Sequence, residues 1–342
     1  MTSKLNYKFM KNNVHTANLL VLSKYKVLVI LSIISIISLT VFSNNAMAAV
    51  ETSFLYTLSN TSGPIPYSWA NLFIDEERNE LYVVDTRKQD IRIFNDNGME
   101  IYRFGADGSL GTLVDLAVKK DGSILVLSKR PPKSAIILCN FRGEPVAELE
   151  LKNLPPDLVD FSPDRIVCRE GLLYLLNSFS MRLVVTDTNG FFRKGYDLGA
   201  LVGVEEKKRA NTDIDGVSVD REGNVLFTIP VMFSAYVLSP AGKITGFGKP
   251  GSAPGRFNIV GGIVADDSGN YYVADKLKCA VLIFDKNFNF LKEFGYRGLR
   301  PGNLIGPKNL ALDSRGRLYV SQRRSRGISV FQITHEPETA EP

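Results

Sequence analysis

G-G-I-V-A-D-D-S-G-N-Y-Y-V-A-D at 261–275, V-L-I-F-D-K-N-F at 281–288 and L-K-E-F-G-Y-R-G-L-R-P-G-N-L at 291–304 together read as four short strands separated by turn residues. Gly262 to Ala265 forms the first apolar segment, and Asp266-Asp267-Ser268-Gly269 turns the chain. Gly269 tolerates positive φ, and the Asp and Ser side chains bond nearby backbone N–H groups. Tyr271 to Ala274, Val281 to Phe284 and Leu291 to Phe294 supply the other strands, rich in β-branched and aromatic residues. The two middle strands are continuous apolar runs without alternation, the pattern of strands covered on both faces. A sheet wedged between two others, as a propeller blade is, has that environment.

Working outward, the end of the second strand recurs at Asp85, Ser128, Asn177, Ile229, Asp275 and Gln322, in steps of 43, 49, 52, 46 and 47 residues. A period in the forties with four strands per repeat predicts an all-β, six-bladed β-propeller. Turn residues recur in phase, at Asp121-Gly122, Gly171, Gly223, Gly269 and Gly316 in the first hairpin. The third hairpin has Asn97-Gly98, Arg142-Gly143, Asn189-Gly190 and Ala241-Gly242. The last repeat stops after its third strand, Ile328 to Ile333. Phe54 to Leu58, followed by Gly63-Pro64, is similar to Phe290 to Phe294 and its glycine, so the start of the propeller is expected to complete blade six and remove an open edge. The propeller is read as 49–333, and the polar residues 334–342 as a disordered tail. The insertion Leu198 to Thr212, with Glu205-Glu206-Lys207-Lys208-Arg209-Ala210, is expected to be a solvated surface helix.

Residues 1–48 read as a signal peptide. Five lysines and no acid precede an uncharged apolar run at 27–42, and Ala46-Met47-Ala48 offers small residues to a signal peptidase. The run has 16 residues, short of the roughly 20 that span a bilayer. The alternative is an uncleaved leader that anchors the protein to a membrane. Of 41 basic and 36 acidic residues, five basic ones and no acid lie in this leader, so the remaining chain is formally neutral. The basic excess belongs to the leader and is no argument for nucleic acid. The expectation is a monomeric protein exported to the periplasm or the cell exterior.

Ile263-Val264-Ala265-Asp266, Tyr272-Val273-Ala274-Asp275, Phe294-Gly295 and Arg300-Pro301-Gly302 form one motif set. Phe247-Gly248-Lys249-Pro250-Gly251 with Pro254-Gly255-Arg256-Phe257 repeats the linker, and Leu310-Ala311-Leu312-Asp313 with Leu318-Tyr319-Val320 repeats the strands. In these motifs, over residues 54–333, the chain resembles the NHL-repeat family of six-bladed propellers. Blades two and three are degenerate, and Ile229 replaces the family's acidic position in blade four. The resemblance implies the fold; propellers host binders and enzymes alike.

Relatives of this fold that act as zinc-dependent or histidine-dependent lyases use histidines around the channel, whereas the two histidines here are His15 in the leader and His335 in the expected tail. That chemistry lacks its ligands, which favours a non-enzymatic protein. Cys139, Cys168 and Cys279 read as buried small hydrophobes, with a Cys139–Cys168 bridge as the alternative. Asp85, Asn177 and Asp275 end the second strand in alternate blades. By resemblance to calcium-dependent lactonase propellers they form a candidate calcium site; alternatively each caps its own turn.

The loops between second and third strands carry Arg87, Lys88, Lys129, Arg130, Lys133, Arg182, Lys276, Lys278, Arg323, Arg324 and Arg326, with Asp90 as the main acid. Such a rim attracts anionic partners. Met232 and Phe233 give blade four an apolar tip on the same face, either a binding hot spot or a cover for the channel mouth. Trp69 is read as blade packing. The first functional reading is an exported, cofactor-free binding scaffold that presents this basic face to an anionic protein, glycan or lipid headgroup. The second is a calcium-dependent hydrolase. RNA binding would require that the leader not be a signal.

Overall fold

The propeller has six four-stranded antiparallel sheets, and in the first five the chain runs outward through the strands in order. The structure, a computed structural model, describes residues 50–60, 63–64, 69–323 and 326–335. The expected leader, Arg324 and the tail from 336 lie outside them. Blade one is built of Asn71–Asp75, Glu80–Asp85, Asp90–Phe94 and Glu100–Phe104. Blade five, the quoted stretch, is built of Val260–Ala265, Tyr271–Asp275, Ala280–Phe284 and Phe290–Phe294. Every residue of its two middle strands is buried, as their unbroken apolar runs require.

The core lies in the seams between blades. Leu226, Val237 and Phe247 of blade four pack on Ile263, Val273 and Leu282 of blade five. There the Phe247 ring stacks on Phe288 at 4.7 Å and meets Phe284 edge-on at 5.2 Å. Burying such rings is worth about 2 kcal/mol each, so the seams supply much of the stability that holds blade to blade.

Blade six closes as the sequence implies. Its inner three strands are Leu310–Leu312, Arg317–Ser321 and Ile328–His335, and Val50–Thr57 adds the outer one. Val50 lies opposite His335 and Thr57 opposite Ser329, with a bulge between Phe54 and Tyr56. The third strand runs two residues past the expected end at Ile333. His335 is therefore part of a strand rather than of a tail, because the incoming Val50 and Glu51 give Thr334 and His335 backbone partners.

The insertion is a short α-helix, Leu198–Leu201, followed by a 3₁₀ turn at Glu206–Asn211. Asp197 caps the helix by accepting the Ala200 N–H at 2.8 Å. The segment is more than the solvated decoration expected: Leu198, Val204 and Ile214 enter the seam of blades three and four. Arg209 is buried with its guanidinium 2.8 Å from Asp197. No helix among the described residues is long and apolar enough to cross a membrane.

Candidate binding site at the channel mouth

With strands alternating in direction, the second-to-third-strand loops and the linkers between blades share one face. In blades one, three, four and five these loops hold four residues, between the pairs Asp85–Asp90, Asn177–Arg182, Ile229–Ser234 and Asp275–Ala280. The fourth residue of each is left-handed: Gln89, Met181, Phe233 and Cys279 have φ of 59°, 54°, 52° and 58°. The residue ahead of the turn pins it. Asp85 accepts the N–H groups of Arg87 and Lys88, both at 3.0 Å. Asn177 accepts that of Ser180 at 2.8 Å. Asp275, fully buried, accepts those of Leu277 and Lys278 and, from the preceding linker, Asn258 and Ile259. Each candidate calcium residue thus has an oxygen engaged by its own blade's loop. Among the described residues no group of three or more His, Cys, Asp or Glu is placed to hold a metal ion.

Between these loops the channel mouth opens as a cavity of about 520 Å³, bounded by Trp69, Asn71, Thr112, Leu113, Lys129, Ser162, Arg165, Asn177, Phe179 and Lys308. Trp69 is not simply blade packing. Its backbone is left-handed, at φ 58°, and its indole N–H donates to the Gly306 carbonyl at 2.9 Å. The Arg323 guanidinium and the Lys308 ammonium lie 5.0 and 5.4 Å from its ring centroid. An aromatic flanked by two cations suits a ligand with an anionic group and a flat or apolar body.

Two carboxylates deeper in the channel behave oppositely. Asp215 is paired with Lys276, and with Lys308 at 3.0 Å. Burial alone would raise its carboxyl, but Lys308 and Lys276 together hold it below the usual range. Asp115 is pushed up to about 6 by burial, which outweighs the nearby Arg165 guanidinium and is reinforced by Asp164. It accepts the Ile166 N–H at 3.1 Å, which ties blade two to blade three. The inner strands of all six blades surround a further space of about 160 Å³. At the opposite face an ionic chain crosses the channel. Arg169 lies 3.2 Å from Glu76, Glu76 3.5 Å from Arg221, and Arg221 2.5 Å from Asp267, linking blades three, one, four and five. His335 sits beside this mouth, 3.0 Å from Asp266.

The basic rim is divided. Lys276, Lys278, Arg182, Lys133 and Arg130 have acid partners: Asp215, Glu293 at 2.6 Å, Asp157 and Glu206, Asp160 at 3.0 Å, and Glu148 at 3.9 Å. Most of these acids lie outside the loops, on linkers and outer strands, which is why a reading of the loops alone overstates the free charge. Asp90, expected as the rim's main acid, is fully buried against Arg92 and Arg103. Arg326 donates to the Leu299 carbonyl at 3.1 Å. Arg87, Lys88, Lys129 and Arg323 are exposed and have no ion pair among the described residues. Met232 packs on the seam of blades three and four, with the Tyr236 hydroxyl 3.7 Å from its sulfur, whereas Phe233 is exposed. The three cysteines are free thiols. Lys308, Asp215 and Asp115 carry no motif in the sequence; Asp115 lies on an inner strand, and Asp215 and Lys308 each stand two residues ahead of one, where a linker enters the channel.

No family model matches this chain, and no curated protein matches it. Solved structures do match in fold. An auxiliary nutrient binding protein from Bacteroides ovatus has a TM-score of 0.57 at 12% identity, over 84% of this chain and 78% of that one. A luciferin-regenerating enzyme has a TM-score of 0.55 at 12% identity, over 84% and 95%. A streptogramin B lyase has a TM-score of 0.54 at 13% identity, over 83% and 98%. At such identity the likeness is one of fold alone, and it spans both enzymes and a binding protein.

Proposed function

We propose that this protein is an exported, non-enzymatic propeller of the NHL type that binds an anionic partner on its second-to-third-strand loop face. The observation that carries this reading is the set of free cations. Arg87, Lys88, Lys129 and Arg323 stand on adjacent blades six, one and two, beside the open channel mouth and Trp69. A solvated cation already paired within the protein adds little to a new contact, whereas an unpaired one steers and holds an opposite charge. The partner's chemistry is that of an acidic protein, an anionic glycan or a lipid headgroup, with no cofactor required. The calcium-dependent alternative is less well supported. Asp85, Asn177 and Asp275 already serve their own loops by accepting backbone N–H groups, and no group of three or more His, Cys, Asp or Glu is placed to hold a metal among the described residues.

The test is binding of the chain to immobilised poly-glutamate and heparin at low and moderate salt. Charge reversal of Arg87, Lys88, Lys129 and Arg323 to Glu is expected to weaken binding by about tenfold or more and to flatten its salt dependence. Full affinity in that variant, or binding that appears only with added calcium, would count against the proposal.

A further inference from the structure

We infer that the loop face docks on a lipid bilayer surface that carries anionic headgroups; this rests on the binding reading above and names its partner. The second residue of each four-residue loop projects from an equivalent point of the rim, because these loops share one turn geometry. In blade one that residue is Arg87. In blades three, four and five it is Phe179, Val231 and Leu277, exposed by 62%, 53% and 63%. The second-position tips of three successive blades are therefore apolar. Unpaired cations stand on the loops of blades six, one and two, and Lys249, Arg297 and Arg300 add exposed cations on the linkers of the same face.

The surroundings sharpen the contrast. Lys276 and Lys278 flank Leu277 but turn inward to Asp215 and Glu293, which leaves the leucine alone at the tip. The Asp275 and Asn177 caps hold two of the tips in place without a partner, so docking requires little ordering of the loops. The apolar side chains stand on separate projecting turns instead of lining one groove. A protein partner would need a matching hollow for each tip; the acyl boundary of a bilayer accommodates all of them, while anionic headgroups meet the cations.

The experiment is co-sedimentation of the chain from residue 49, whose ring closes within itself, with phosphatidylcholine vesicles with or without about 30% phosphatidylglycerol. Poly-glutamate binding is measured in parallel. The wild type is expected to partition about tenfold more onto the anionic vesicles. A Phe179→Ser, Val231→Ser, Leu277→Ser variant with an unchanged melting temperature is expected to lose that binding yet keep its hold on poly-glutamate. If the triple variant sediments with vesicles as the wild type does, the apolar tips are not a docking surface and the inference falls. Wild-type binding to poly-glutamate without vesicle binding overturns the lipid assignment in favour of an acidic protein and leaves the binding reading intact. Binding to neither removes both.

Discussion

Gly262 shows how tightly one residue constrains the ring. A Cβ placed on it would fall 2.6 Å from the Lys308 carbonyl and 2.9 Å from the Leu310 nitrogen, on the next blade's inner strand. Its own N–H donates to that carbonyl. Gly262→Ala must force blades five and six apart, and is expected to cost about 3 kcal/mol in denaturant unfolding; an unchanged midpoint would show that the strands yield freely. Asp115 makes a pH prediction. Its folded pKa of about 6 lies above the usual aspartate value, so the folded state holds a proton that the unfolded state has released. Stability from this group is complete at low pH and declines as pH rises from about 4 to about 6, by roughly 3 kcal/mol. Asp115→Asn keeps an acceptor for the Ile166 N–H and is expected to be more stable than the wild type at pH 7 but equal to it near pH 4. Urea titrations across that range provide the check, and a difference that does not change with pH would refute the assignment.

At the scale of elements, the outer strand of blade six matters most because it comes from the far end of the sequence. Phe54 meets Phe331 edge-on at 5.7 Å, and Phe331 in turn meets Phe294 of blade five at 4.9 Å. Removing residues 50–57 exposes the edge of Ile328–His335 and strips this aromatic seam. The truncated chain is expected to melt about 10 °C or more below the full propeller and to form soluble aggregates seen in light scattering. A truncated monomer with the original melting temperature would mean that the ring is held by blade seams alone. The loops follow the same logic of elements: a left-handed residue at the end, joined in blades one, three and five by a cap at the start, fixes the backbone, which frees the second position to vary between arginine, phenylalanine, valine and leucine.

At the largest scale, the two faces of the propeller differ. The Arg169–Glu76–Arg221–Asp267 chain crosses one channel mouth, while the other opens beside Trp69. The loop face carries the unpaired cations Arg87, Lys88, Lys129 and Arg323 and the exposed tips Phe179, Val231 and Leu277, while the opposite face has its own exposed hairpin tip in Phe141. The mouth crossed by the ion pairs holds a space of about 310 Å³ that these residues line together with Asp266 and His335.

The blade count, the four strands of each blade and the closure by Phe54–Leu58 were all legible in the chain. They rest on local hydrophobic periodicity and on turn residues such as Gly269, which act over a few positions regardless of what lies across the ring. The capping role of Asp85, Asn177 and Asp275 was legible as one of two alternatives, because an Asx turn needs only the next few N–H groups. The state of the basic face was not. Lys276 finds Asp215 from 61 residues away, and Trp69 meets Lys308 from the opposite end of the chain. Counting charges cannot pair them; only ring closure brings their strands side by side. The same closure sorts Met232 into a seam and leaves Leu277 in water, because burial is set by which blade stands next door and not by the residue's own hydrophobicity.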